Sequence, residues 1–527
     1  MDYPKKARSE NVKRFFLFVT SVIVLTLWVY SDSVYAHGFG QRYDLPVPLR
    51  LWVLGAGATI LVSFFLVAIF AKGEIGQFSY PRVNLLQWRM FRLFRHNSVL
   101  FSIRAIGVIV LVTAIVAGFW GNTDPYKNVT PVLVWVIWWV GVVYVCALVA
   151  DVWALVNPFR TIFIWAEHIA RKWFGADRLS LNQRYPPVLE MWPAVLGLIG
   201  FFWAELLWTA GSVPLNLAIV ITTYACITWL GMFVYGRETW LQNADPFCQV
   251  FKIFSGFAPL ETRVRLSSSE QKCQAYACRY RYADCVNGYG CIRESRADQL
   301  EWNLRPPGVG LSQEIKVPVS MMVFVLILLA SVTFDGFLET PLWIKILDRS
   351  MGQEIVLIGN LGLVLISMLF CVVYLVFCWF VIRVATLFAE SSSQWEATNS
   401  LEIACAFVLT LVPIAIAYHL AHYLSFLLIT GQYLVPLLSD PLGFGWNIFG
   451  TAGYRPNIGV LDARTSWYVA VGAVICGHVF SVYIAHKVAI RVFNDVRVAL
   501  YSQIPMIILM VLYTMLSLWI LAQPMVG

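Results

Sequence analysis

Charge is what this sequence has least of: of 527 residues only 13% are Asp, Glu, Lys or Arg, where a soluble domain carries roughly a quarter. A water-solvated globule is thereby excluded. Several chemical signatures are missing too. The chain has no P-loop, no Gly-x-Gly-x-x-Gly fingerprint, no Gly-x-Ser-x-Gly elbow and no Cys-x-x-Cys-His haem attachment. Nucleotide-driven, serine-elbow and covalent-haem chemistries therefore find no motif to stand on. What is present is apolar: 59% hydrophobic residues, a mean hydropathy of +0.70, and repeated runs of about 20 residues, each long enough to cross a hydrocarbon core of roughly 30 Å. The fold class is an all-α polytopic transmembrane bundle, because only helices satisfy their own backbone in such runs. Lipid gives no hydrophobic preference for one apolar face over another, so the polar residues inside the spans carry the information.

The first 36 residues read as a secretory signal peptide: a basic head (Lys5, Lys6, Arg8, Lys13, Arg14), an apolar stretch from Phe15 to Tyr30, and small residues ending at Ala36. An uncleaved signal anchor is the alternative. Either way His37 lies outside the cytoplasm, and after cleavage its amine and imidazole together suit copper or zinc, unless the segment is only a flexible start. Ten spans are expected at 49–71, 99–119, 131–155, 192–211, 214–235, 317–336, 355–382, 401–431, 467–490 and 500–522, five in a first half (37–235) and five in a second (317–527). Lys and Arg concentrate in the loops that this count makes cytoplasmic, even when the long loop 236–316 is discounted, so the mature N-terminus is expected in the periplasm of a bacterial inner membrane. The net charge of +8 is explained by those loops facing anionic lipid and implies no nucleic-acid partner.

Two loop starts echo each other, Asn157-Pro158-Phe159 and Asp245-Pro246-Phe247. Both read as N-caps with proline in the first helical turn, opening short helices along the cytoplasmic surface. The loop 236–316 also holds Cys273, Cys278, Cys285 and Cys291. In a reducing compartment, zinc or an iron-sulfur cluster is one use of four such thiols and free or oxidised cysteines the other.

Among the seven histidines, His96, His168 and His486 need only a solvated or headgroup role. His419 and His422 stand three residues apart in the eighth span, on one helix face, and His478 follows Gly477, a small residue that permits close helix packing. At 1.5 Å per residue, Glu205 lies about 20 Å across the membrane, His419 and His422 about 22–27 Å, Asp335 about 26 Å, and His478 about 15 Å down from the outside. All five fall in the outer half. Three imidazoles and two carboxylates at compatible depths point to a zinc or copper site of His419, His422 and His478, joined by the N-terminal His37, with Glu205 and Asp335 as base or additional ligands. Haem or quinone ligation and a structural polar network are the alternatives.

The segment Ala36-His37-Gly38-Phe39-Gly40-Gln41-Arg42-Tyr43, with Thr333-Phe334-Asp335-Gly336-Phe337 and Tyr418-His419-Leu420-Ala421-His422-Tyr423, resembles the bacterial polytopic proteins labelled fenitrothion hydrolase. The resemblance implies hydrolysis of an organophosphorus aryl triester at the membrane, with a second related membrane subunit as partner; because such an insecticide cannot be the ancestral substrate, a native lipid or phosphoester is the expected one. It brings no catalytic residues with it. A metal-bound water would serve as nucleophile in such a reaction. Copper or other metal transport, using the same histidines transiently, and a haem-binding redox module are the competing functions.

Overall fold

The computed structural model describes residues 48–70, 80–93, 96–175, 178–264, 285–286, 300–312, 317–349, 353–389 and 399–526. The signal segment, His37, Cys273, Cys278 and Cys291 lie outside them. Ten helices among the described residues are long and apolar enough to cross a membrane: Leu49–Val67, Asn97–Trp120, Val129–Leu148, Pro187–Leu206, Pro214–Tyr235, Val319–Leu338, Glu354–Phe388, Ser400–Ser439, Ala463–Phe493 and Val496–Gln523. They are spans 1 to 10 below. Spans 6 and 8 form the centre, with 72% of each apolar stretch buried by protein, whereas only 6% of span 2 and 17% of span 7 are covered. The class is thus a multi-pass helical membrane protein.

Boundaries differ from expectation where local geometry intervenes. Span 3 ends seven residues early because Val149 leaves helical geometry (φ −121°, ψ −71°), and a single turn, Trp153–Val156, follows. Within span 3, Val132–Gly141 is a π-helix, a wide form common at functional sites. Span 8 is interrupted by the 3₁₀ turn Val408–Leu411 just before Pro413, whose missing N–H cannot continue the ladder. Nearby, the Thr410 carbonyl accepts the Ser481 hydroxyl of span 9 at 2.6 Å. Spans 8 and 9 touch closely here, since a Cβ on Gly477 would stand 2.4 Å from that of Ala417 and 2.7 Å from the Pro413 carbonyl.

Asn157 and Asp245 do cap helices, each accepting a backbone N–H through its side chain. The surface location, however, holds for only one of them. The helix Pro158–Phe174 is amphipathic and leaves Ile169, Trp173 and Phe174 exposed. The helix Pro246–Ser255 instead dips into the bundle, where Phe247 packs on Trp138 and Phe201, and Phe251 on Trp138 and Trp153. Its apolar residues Phe247, Val250, Phe251, Ile253 and Phe254 are all buried, too many to be satisfied by one interfacial stripe.

The loop that follows contributes most of a small antiparallel sheet in the order β1-β4-β2-β3, formed by Val83–Asn84 (β1), Leu260–Val264 (β2), Cys285–Val286 (β3) and Leu300–Leu304 (β4). Beneath it Arg305 pairs with Glu261 at 2.7 Å, both side chains sealed from solvent. The remaining guanidinium nitrogens reach the carbonyls of Ala258, Ser255 and Gly256. Tyr80 donates to the same carboxylate at 2.8 Å, and burial, with Glu261 second, pushes its phenol up to about 12.

Candidate active site

Glu205 and Asp335 sit one and three residues from the C-terminal ends of spans 4 and 6, at one end of the bundle. The glycine after Asp335 lets span 6 lie close against span 10 and in contact with span 8: a Cβ on Gly336 would lie 2.5 Å from Ile520, 3.4 Å from the Tyr418 hydroxyl and 3.9 Å from the His422 ring. That approach brings the His422 Nε2 to 2.9 Å from Asp335 Oδ2. The Tyr423 hydroxyl reaches the same oxygen at 2.5 Å and Glu205 Oε1 at 3.2 Å. Its one proton can be given to only one of the two carboxylates at a time. Among the described residues, Glu205 Oε2 is buried with no hydrogen-bond partner at normal distance.

These groups line a cavity of about 590 Å³, together with Glu339, Trp135, Trp208, Ser425 and Thr430. Volume and lining suit a drug-sized apolar ligand oriented by a few polar groups. Glu339 follows Asp335 by one helical turn. Burial first, and the Asp335 charge after it, hold its carboxyl above the ordinary value against the opposing pull of His422.

The structure does not bring the expected imidazoles His419, His422 and His478 to one point. His419 is buried and does not line the cavity. It is boxed by Trp139, Tyr144 and Tyr423 at ring separations of 5.6, 5.5 and 4.7 Å, and among the described residues neither ring nitrogen has a hydrogen-bond partner. Three residues on a helix leave roughly 60° between side chains, enough to put His419 and His422 in different surroundings. His478 also lies apart: its Nδ1 is 2.8 Å from the Val474 carbonyl and its ring packs beside Tyr513 at 6.1 Å. Among the described residues, no three His, Cys, Asp or Glu side chains are grouped to hold a metal ion. His486, assigned a solvated role from sequence, is buried and contacts Gln503 at 3.1 Å. Of the four loop cysteines only Cys285 is described, as part of β3.

Sequence reasoning missed Tyr423 and Glu339. Both were detectable, Tyr423 as the neighbour of His422 and Glu339 as the residue four after Asp335, on the same helix face.

The geometry defines a multi-pass membrane protein with a largely apolar cavity between its spans, into which Glu205, Asp335, Glu339 and His422 are gathered. Neither a protein-family model, nor a curated protein, nor a solved structure matches the chain.

Proposed function

We propose that this chain is a membrane-embedded hydrolase of apolar organophosphorus aryl triesters or lipid-like phosphoesters, oriented with the cavity toward the periplasm of a bacterial inner membrane. The observation that carries the reading is the His422–Asp335 pair at 2.9 Å inside a ligand-sized cavity. With Nε2 facing the carboxylate, that nitrogen carries the proton, and Nδ1, which makes no hydrogen bond among the described residues, is free to act as base. A water proton passes to Nδ1 while the water oxygen forms the new P–O bond. The P–O(aryl) bond breaks and its electrons leave with the aryloxide. Asp335 stabilises the imidazolium and Tyr423 keeps Asp335 oriented. Apolar substrate arrives from the bilayer, which also concentrates it.

Divalent-cation delivery is the second reading, favoured by Glu205, Asp335, Glu339 and His422 lining one cavity. Zinc or copper held there would polarise the phosphoryl oxygen in the hydrolytic reading. Holding such an ion requires Tyr423 to release the carboxylates that it bridges.

The test is nitrophenolate release from an aryl phosphotriester by membranes containing equal amounts of wild type and His422→Gln. A drop of about 10²–10⁴-fold is expected for loss of a general base. Equal turnover would remove His422 from the mechanism, and no turnover in wild type, with ion flux in proteoliposomes, would favour cation delivery.

A further inference from the structure

Between spans 8 and 9 the chain exposes large apolar side chains on a loop whose backbone is tied down. Phe444, Ile448 and Phe449 are 55%, 57% and 69% exposed and Trp446 45%, and no Asp, Glu, Lys or Arg stands between Pro441 and Tyr454. The Asp440 carboxylate accepts the backbone N–H groups of Phe444 and Gly445 at 2.9 and 2.7 Å, Ser439 Oγ those of Phe449 and Thr451 at 3.1 and 3.2 Å, and Asn447 Oδ1 that of Ala452 at 3.0 Å. Gly443 turns the chain at φ +73°, where a Cβ would stand 2.3 Å from the Lys127 carbonyl. The exposure of these four side chains is thus set by fixed backbone geometry.

Two backbone hydrogen bonds fix the level of the loop. The Leu442 carbonyl accepts from the Asn122 N–H at 2.7 Å and the Pro441 carbonyl from the Val129 N–H at 3.2 Å. Asn122 stands two residues past the end of span 2, and Val129 opens span 3. The 24 residues of span 2 make about 36 Å of helix, against roughly 30 Å of hydrocarbon and 40–45 Å with the headgroups. Its ends therefore reach the headgroup layers, and Trp120, exposed at this one, is of a type enriched there. The apolar surface is also continuous with lipid-facing span: Val435 and Leu438, on the last turns of span 8, are exposed beside it. A partner that adds a strand finds little to pair with, because Asp440, Ser439 and Asn447 already take the N–H groups of the loop.

We propose that the loop 440–454 is seated in the headgroup–acyl boundary of the leaflet at the cavity end, with Phe444, Trp446, Ile448 and Phe449 inserted among the lipids. Its irregular backbone stays in the polar layer, having no place in lipid-exposed hydrocarbon, while the apolar side chains reach below it. Gln432 Oε1 accepts from the Tyr454 hydroxyl and from the Asn457 N–H, at 2.9 Å each, and stands two residues after Thr430, which lines the cavity. The seated loop thereby holds the cavity wall of span 8 at the level of the lipid, whatever chemistry the cavity performs.

The full chain is reconstituted at one copy per phospholipid nanodisc, with Phe449→p-azidophenylalanine carrying a clicked nitroxide so that the native cysteines stay unlabelled. Electron paramagnetic resonance reads the collision rates of the label with oxygen, which concentrates in lipid, and with a water-soluble nickel chelate. Relative to the free label in buffer, the ratio of oxygen to nickel collisions is expected to rise several-fold. A ratio equal to that of the free label places the loop in water and overturns the proposal. Low rates with both reagents mark contact with protein and overturn it as well. Should that variant not fold, the same label at Phe444 decides by the same outcomes.

Discussion

Two buried charge clusters in this chain differ in what they leave unsatisfied. Beneath the small sheet, the Arg305–Glu261 pair is closed: the carboxylate also accepts from Tyr80, and the guanidinium is spread over three backbone carbonyls. In the membrane cavity, one tyrosine proton faces two carboxylates, and among the described residues a Glu205 oxygen has no hydrogen-bond partner and one His422 nitrogen makes no hydrogen bond. In both places a buried polar group costs free energy unless it is paired. The difference teaches that the first cluster holds the chain together and the second keeps capacity for a ligand.

The sharpest break of that comparison is Glu261→Ala, which leaves Arg305 buried without its carboxylate. A cost of about 3–5 kcal/mol is expected in denaturant unfolding, whereas Asp335→Asn should shift the midpoint much less while abolishing turnover. Equal destabilisation by the two would make the cavity a structural network like the other.

A smaller effect isolates packing from charge. Gly477→Ala forces a methyl against Ala417 and the Pro413 carbonyl and is expected to cost about 1–3 kcal/mol by overpacking. Because His478 does not line the cavity, substrate KM should stay at its wild-type value; a large KM change would tie the span 8–9 contact to the site.

The smallest effect is electrostatic and depends on pH. Burial alone would raise the Glu238 carboxyl, but Arg160 and Arg237 hold it below its ordinary 4.5. A depressed carboxyl contributes stability that is complete above the ordinary value and is lost as pH falls through the lower folded one. The melting-temperature advantage of wild type over Glu238→Gln should therefore be flat from pH 7 to about 5 and shrink toward pH 3. An advantage that grows on acidification contradicts this reading.

The spans were legible because apolar length is a one-dimensional property, and so was the depth shared by Glu205, Asp335 and His422. Which face each polar residue presents was not. Helical spacing put His419 beside His422, but the aromatic box that isolates His419 draws on Trp139 and Tyr144, 275 residues or more away in sequence. The burial of Pro246–Ser255 was partly readable: its apolar residues surround the helix, as in a core element, although the Asp-Pro start looks the same at a surface. Tyr423 was overlooked because a hydroxyl without charge draws less notice than the imidazole next to it.

The widened turns of span 3 let one wall serve three clients. Trp135 borders the cavity, Trp138 meets the inserted helix through Phe247 and Phe251, and Trp139 covers His419. Deleting one residue from Val132–Gly141 would swing everything on one side of the deletion by about 100° relative to the other, so the cavity rim and the inner aromatic floor could no longer be met by the same rod.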